Sequence, residues 1–137
     1  MDKLLRIYQC EDTMDGILTA VFEAGISGYG HRYIRIEPQR PDMVTDRELF
    51  AEYIPVATEK IKAENVLLTV RQRISTEAYE YVLRVLASDS SERGTVIYQF
   101  VTYGFSLGPK VTKAMQLPCV QQMFSIVRRV KNETAQY

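Results

Sequence analysis

Within its first 36 residues the chain runs strand, helix, strand, and that order admits few folds. Leu4-Leu5-Arg6-Ile7-Tyr8-Gln9-Cys10 is short, apolar and partly alternating, as a strand is. Glu11-Asp12-Thr13 follows with turn chemistry, and Asp12 or Thr13 can accept from the orphan amides of a helix. Ile17, Leu18, Val21 and Phe22 then recur at helical spacing, and Gly25 is expected to end that helix. Gly28 and Gly30 allow a turn, and Tyr33-Ile34-Arg35-Ile36 alternates as a second strand. Two strands joined through a helix pair in parallel, in a right-handed βαβ unit.

The rest of the chain must cover that unit. Pro38 and Pro41 open a polar loop to about Arg47. Tyr53-Ile54-Pro55-Val56-Ala57 reads as a third strand, and Pro55, which has no N–H, places it at an edge. From Thr58 the pattern turns helical. Ile61, Leu67, Leu68, Val70 and Ile74 form a rough apolar face, although Val66 to Val70 also suits a buried strand. Ser75 or Thr76 can cap a helix with Ala78, Val82, Val85 and Leu86 on one stripe. Asp89 and Glu92 have the spacing of a capping box. Val96, Ile97, Phe100, Val101 and Gly104 make the clearest amphipathic pattern. Pro109 suits the start of a short helix in which Val111, Ala114 and Met115 face one way. Pro118 starts the last helix, with a stripe of Val120, Met123, Phe124, Val127 and Val130.

The expected architecture is α/β or α+β. A small βαβ-type sheet of about three strands is followed by, and packed on, a helical array, since neither part alone has a partner for its apolar face. The length of 137 residues suits one domain, with a β-rich half at 1–57 and a helical half at 58–137. No apolar run is long enough to span a membrane, and the N-terminus lacks the apolar stretch of a signal peptide. Cys10 and Cys119 lie far apart and form no CxxC, which points to buried thiols in a reducing cytoplasm.

Charge is the sharpest functional signal. The chain is neutral overall, but residues 1–64 hold 8 basic and 12 acidic side chains, and residues 65–137 hold 9 and 5. Between Glu92 and Glu133 there are six cations, Arg93, Lys110, Lys113, Arg128, Arg129 and Lys131, and no acid. Such a stretch either attracts phosphate or forms a solvated face with acids opposite it in space.

Catalytic signatures are sparse. There is no P-loop, HExxH or GxSxG, and no spacing suggests a metal or cofactor site. His31 is the one histidine, set between a glycine turn and a strand. It can act as acid or base near Glu11 or Asp12, or simply hydrogen-bond its own loop or cap the first helix. Arg71 and Arg73 are read as a solvated helix face, and Tyr98 and Tyr103 either stack on unpaired bases or sit at the core edge.

The run Ser106-Leu107-Gly108-Pro109-Lys110-Val111-Thr112-Lys113-Ala114-Met115 resembles the second half of a helix-hairpin-helix DNA-binding element, with Ser106 where such elements carry a first glycine. A glycine admits close approach, helix amides bind a phosphate oxygen, and lysine adds charge. A plain connector between helices is the alternative. On this basis Gly108, Lys110, Lys113, Arg128 and Lys131 are the candidate nucleic-acid contacts, with Arg128 and Lys131 on one helix face.

Four stretches together resemble a bacterial family of DNA-metabolism or DNA-repair proteins. They are Tyr8 to Thr13 with Gly16 to Phe22, Gly30-His31, Arg71 to Tyr79, and Gly104-Phe105 through Gly108-Pro109-Lys110-Val111 to Pro118-Cys119-Val120. The resemblance implies a partner, a radical SAM protein of DNA repair, and a relation to proteins fused to a uracil-DNA glycosylase-like domain. Relatives continue through a basic and aromatic segment after a motif like Asn132-Glu133, so this chain is expected to match their N-terminal portion and to lack that segment. The resemblance carries no established catalytic residues. Three readings follow: a module contacting nucleic-acid backbone beside a repair enzyme, a protein–protein scaffold without DNA contact, and an enzyme that uses His31.

Overall fold

The computed structural model describes residues 3–40 and 47–135, with residues 131–135 described by backbone alone. Three strands, β1 (Leu5–Glu11), β2 (Ile34–Gln39) and β3 (Ala51–Pro55), form one sheet in the order β2-β1-β3. Both pairings are parallel, with Arg6 opposite Ile34 on one side and Glu52 on the other. Five helices complete the fold: α1 (Met14–Ile26), α2 (Lys60–Arg73), α3 (Thr76–Leu86), α4 (Arg93–Leu107) and α5 (Pro118–Ala135). Short 3-10 segments occupy His31–Tyr33 and Gly108–Lys113. The fold is α/β, a small parallel sheet packed on helices.

One face of the sheet carries the core. Register puts Tyr8, Cys10, Ile34 and Ile36 on the same side, and all four are buried with Ile17, Leu18 and Val21 of α1 and Val96, Ile97 and Phe100 of α4. The opposite face, with Ile7, Arg35 and Tyr53, meets the segment that leads into β3. There the Glu48 carboxylate accepts from Arg35 Nη1 at 2.7 Å, and Glu48 N–H donates to Tyr53 Oη at 2.7 Å. The edge strand β2 is buried on one face only, which explains why it alternates as Ile-Arg-Ile-Glu, where a parallel strand buried on both faces would be apolar throughout.

Of the two caps expected for α1, Thr13 is the one used, its Oγ1 accepting from Gly16 N–H at 2.9 Å. Other local features differ from the sequence expectation. Gly25 does not end the helix. The helix runs to Ile26, where Ser27 Oγ donates to Ala24 O at 2.6 Å, and the chain leaves through Gly28 at φ +66°. Pro38 lies inside β2 rather than in the following loop. Ile36 turns its N–H and C=O to the outer edge, so Pro38, two residues on, faces outward too and takes nothing from the ladder. Pro55 does the same at the other edge, since Val56 N–H donates inward to Gln9 O at 2.8 Å. Pro41 and the residues to Asp46 lie outside the described residues.

Segment 60–73 is a helix throughout, and its buried stripe is Ala63, Val66 and Val70. Ile61 and Leu68 point away, at 82% and 55% exposure. Asp89 and Glu92 form no capping box. Glu92 is the α4 N-cap, but its side chain accepts from no helix amide, and Ser90 organises the turn instead, its C=O accepting from Arg93 Nη1 at 2.7 Å. Met115 is exposed, while Val111 and Ala114 are buried as expected. The stripes of α3 and α4 and the start of α5 at Pro118 match the expectation. Among the described residues no helix is long and apolar enough to cross a membrane.

Candidate nucleic-acid interface

Helix α4 ends at Leu107, and Gly108 turns the chain at φ +65° with open space where a Cβ would stand. Proline follows as expected, but what it starts is the six-residue 3-10 segment, not an α-helix. Such a segment lacks the aligned amides and dipole of a helix N-terminus. The resemblance to a helix-hairpin-helix element therefore reduces to its turn and its cations. Lys110 and Lys113 are exposed, while Val111 and Thr112 between them are buried against α4 and α3.

On α5 the buried residues Cys119, Val120, Met123, Ile126 and Val127 leave Arg128 and Arg129 exposed. The Lys131 side chain lies outside the described residues. Among the described residues, Lys110, Lys113, Arg128 and Arg129 form no ion pair. Arg93 does not belong with them: it is buried and paired with Asp12. Gln122 Nε2 donates to Glu92 Oε2 at 3.4 Å, so α5 starts beside the N-terminus of α4 while Lys110 follows its C-terminus. The structure does not bring Lys110 and Arg128 into contact.

His31 stands at the start of β2, where its Nε2 lies 3.3 Å from Tyr103 Oη and the rings meet edge to face at 5.1 Å. It neither bonds its own loop nor approaches the acids. Thr95 at Ile36 and Tyr103 at His31 show that α4 runs antiparallel to β2. The α4–Gly108 corner and the strand starts therefore share one end of the molecule. Asp12 follows β1 at the other end, a strand length of about 20 Å away. No acid–base pair of His31 with Glu11 or Asp12 exists in this topology. A shallow groove of about 400 Å³ between α1 and β3, lined by Tyr8, Ile26, Ile54 and Val56, does not include His31 either.

Around His31 lies a cluster that the sequence reading missed. Arg6 Cζ sits 3.9 Å over the Tyr29 ring, and Lys3 Nζ lies 5.1 Å from Tyr29 and 5.7 Å from Tyr33. Lys3 Nζ also donates to Tyr29 O at 2.8 Å, and Tyr29 Oη donates to Leu4 O, so the turn is fastened to the start of β1. Arg32 and Tyr33 are exposed. The alternation of Tyr29, His31, Arg32 and Tyr33 was the available signal. Its partners Lys3 and Arg6 become visible only once parallel pairing puts the strand starts together.

At the opposite end, Asp12 pairs with the buried Arg93 guanidinium and accepts from Arg40 Nε at 2.6 Å. Burial lowers the Arg93 pKa and pushes the nearby Cys10 thiol up to about 12. Burial also raises the pKa of Cys119. Neither thiol is an activated nucleophile. Among the described residues no three of His, Cys, Asp and Glu converge as a metal site. Comparison with protein-family models, with curated proteins and with solved structures finds no match to this chain.

Proposed function

We propose that this chain is a DNA-metabolism module that contacts nucleic-acid backbone and works beside a radical SAM repair protein in the cytoplasm. The observation that carries the nucleic-acid part is the state of Lys110, Lys113 and Arg128. They are exposed and free of ion pairs among the described residues, in a stretch with no acid from Arg93 to Asn132. The partner rests on the sequence resemblance, and the compartment on two buried, unpaired cysteines. The test is the salt dependence of DNA binding, single-stranded and duplex, by the full chain. Substituting both Lys110 and Lys113 by Ala should reduce the slope of log affinity against log salt by about 1.8. Absence of binding at low salt ends the proposal.

A scaffold without DNA contact is the second reading. Ile61 and Leu68, seven residues apart on α2, share its outward face at 82% and 55% exposure. It predicts co-purification with the radical SAM partner after nuclease treatment, with loss of the complex on Ile61→Lys.

A further inference from the structure

We infer that the end of the molecule formed by the three strand starts is a stacking platform for an unpaired nucleotide strand. Tyr33 and Phe50 are its rings, and Lys3 and Arg32 its phosphate contacts. The inference rests on the nucleic-acid reading above and names its substrate class, single-stranded rather than duplex.

The placement follows from the register. Tyr33 immediately precedes Ile34, which lies opposite Arg6, and Phe50 immediately precedes Ala51, which lies opposite Leu5. Because β2 and β3 flank β1, the two residues stand about 10 Å apart across it, with Lys3 leading into β1 between them. Both rings are open to solvent, Tyr33 at 42% and Phe50 at 83% exposure. Lys3 Nζ lies beside the Tyr33 ring, and beyond its bond to Tyr29 O it keeps two donors for a phosphate. An unpaired base offers a π-face to each ring, and its phosphate meets the cations beside Tyr33.

Phe50 adds an argument that packing cannot supply. It is the one non-glycine residue with positive φ among those described, at 62°. A bulky side chain in that region is strained, and this one gains no burial in return. Arg6 is not a free phosphate contact, because it pairs with Glu52 at 3.1 Å and braces Tyr29. An anionic membrane would meet the same cations, but its binding scales with buried apolar area, of which Tyr33, polar at its tip, offers little.

The test uses the full chain with a short oligothymidylate, a duplex of equal length, and phosphatidylserine vesicles. Tyr33→Leu and Phe50→Asn should each weaken oligothymidylate binding about tenfold. Tyr33→Phe should keep it within about twofold, and duplex binding should move less than that. Asn tolerates the left-handed region, so Phe50→Asn should also raise the melting temperature, which separates loss of the ring from loss of the fold. Unchanged single-strand affinity in both Tyr33→Leu and Phe50→Asn overturns the platform. So does ring-dependent vesicle binding without oligothymidylate binding. If the lysine pair still flattens the salt slope while the ring variants bind normally, the platform falls and the module stands. If no nucleic acid binds at low salt, both fall.

Discussion

Thr95 closes the outer edge of the sheet on Ile36. Its Oγ1 accepts from Ile36 N–H at 2.9 Å and donates to Ile36 O at 3.2 Å, so one side chain of α4 takes the place of a further strand. The bond pair sets the height of α4 against β2, and thereby brings Tyr103 to His31.

Thr95→Val keeps the shape and removes both bonds. Two backbone groups of the buried Ile36 lose their partner, at a cost of about 1–3 kcal/mol. The urea midpoint should fall with an unchanged m-value, and Thr95→Ser should recover most of it. A Val variant as stable as the parent would mean that water serves Ile36 equally well.

Gly94→Ala and Gly104→Ala should differ although both glycines lie on α4. A Cβ at Gly94 would stand 2.7 Å from Ile36 Cγ2 and 3.2 Å from its Cβ, and Thr95 pins that strand. A Cβ at Gly104 would stand 2.4 Å from Ile74 Cδ1, the far end of a flexible side chain. Overpacking should cost about 1–3 kcal/mol at Gly94 and less at Gly104. Ile74→Val, which deletes the offending methyl, should rescue Gly104→Ala in thermal melts. No such rescue would place the strain elsewhere.

The Asp12–Arg93 pair should respond unequally to loss of its two members. Asp12→Ala strands a guanidinium whose side chain is 7% exposed and whose Nε already lacks a hydrogen bond, a loss of about 3–5 kcal/mol. Arg93→Met leaves Asp12 with Arg40 and replaces a buried charge with an apolar chain of similar length, so it should cost clearly less. Equal losses in chemical denaturation would contradict this asymmetry.

Cys10 should make the fold sensitive to alkali. Its thiol is neutral when protonated, and burial raises its pKa from 9.0 to about 12. Above pH 9 the unfolded chain releases a proton that the native state keeps. The stability contribution is therefore fully present below pH 9 and is lost as pH rises toward 12, by at most about 1.4 kcal/mol per unit. Tyr98, also raised by burial, adds to the same fall above its ordinary value of 10.0. Cys10→Val should flatten the decline of the urea midpoint between pH 9 and 11, and the native thiol should resist a disulfide reagent at pH 8. A decline as steep in Cys10→Val would assign the sensitivity to other groups.

Helical stripes were legible because each repeats within a few residues. Ala78, Val82, Val85 and Leu86 are buried as the spacing indicates, and so are Val96, Ile97, Phe100 and Val101. Ser75 caps α3, its Oγ accepting from Ala78 N–H at 3.0 Å. Where apolar residues occur all round a segment, as in α2, periodicity does not choose the face, and Ile61 and Leu68 fell on the wrong side of the choice. The candidate site was legible only in part. The exposure of Lys110, Lys113 and Arg128 agrees with their sequence setting, but Arg93 looked equally free and is buried.

The order of elements, the parallel pairing of β1 with β2 and the edge position of Pro55 were readable from the chain alone, because they follow from local spacing and connectivity. Which charged residues are free was settled by packing. Arg93 lost its freedom when α4 packed its N-terminus against the end of β1, and Asp12 with it. The same antiparallel docking carried Tyr103 across 72 positions to His31 and set the Gly108 corner at the end that gathers Lys3, Arg32, Tyr33 and Phe50. Charge pairing and ring exposure depend on distances between elements, and no periodicity within an element encodes them.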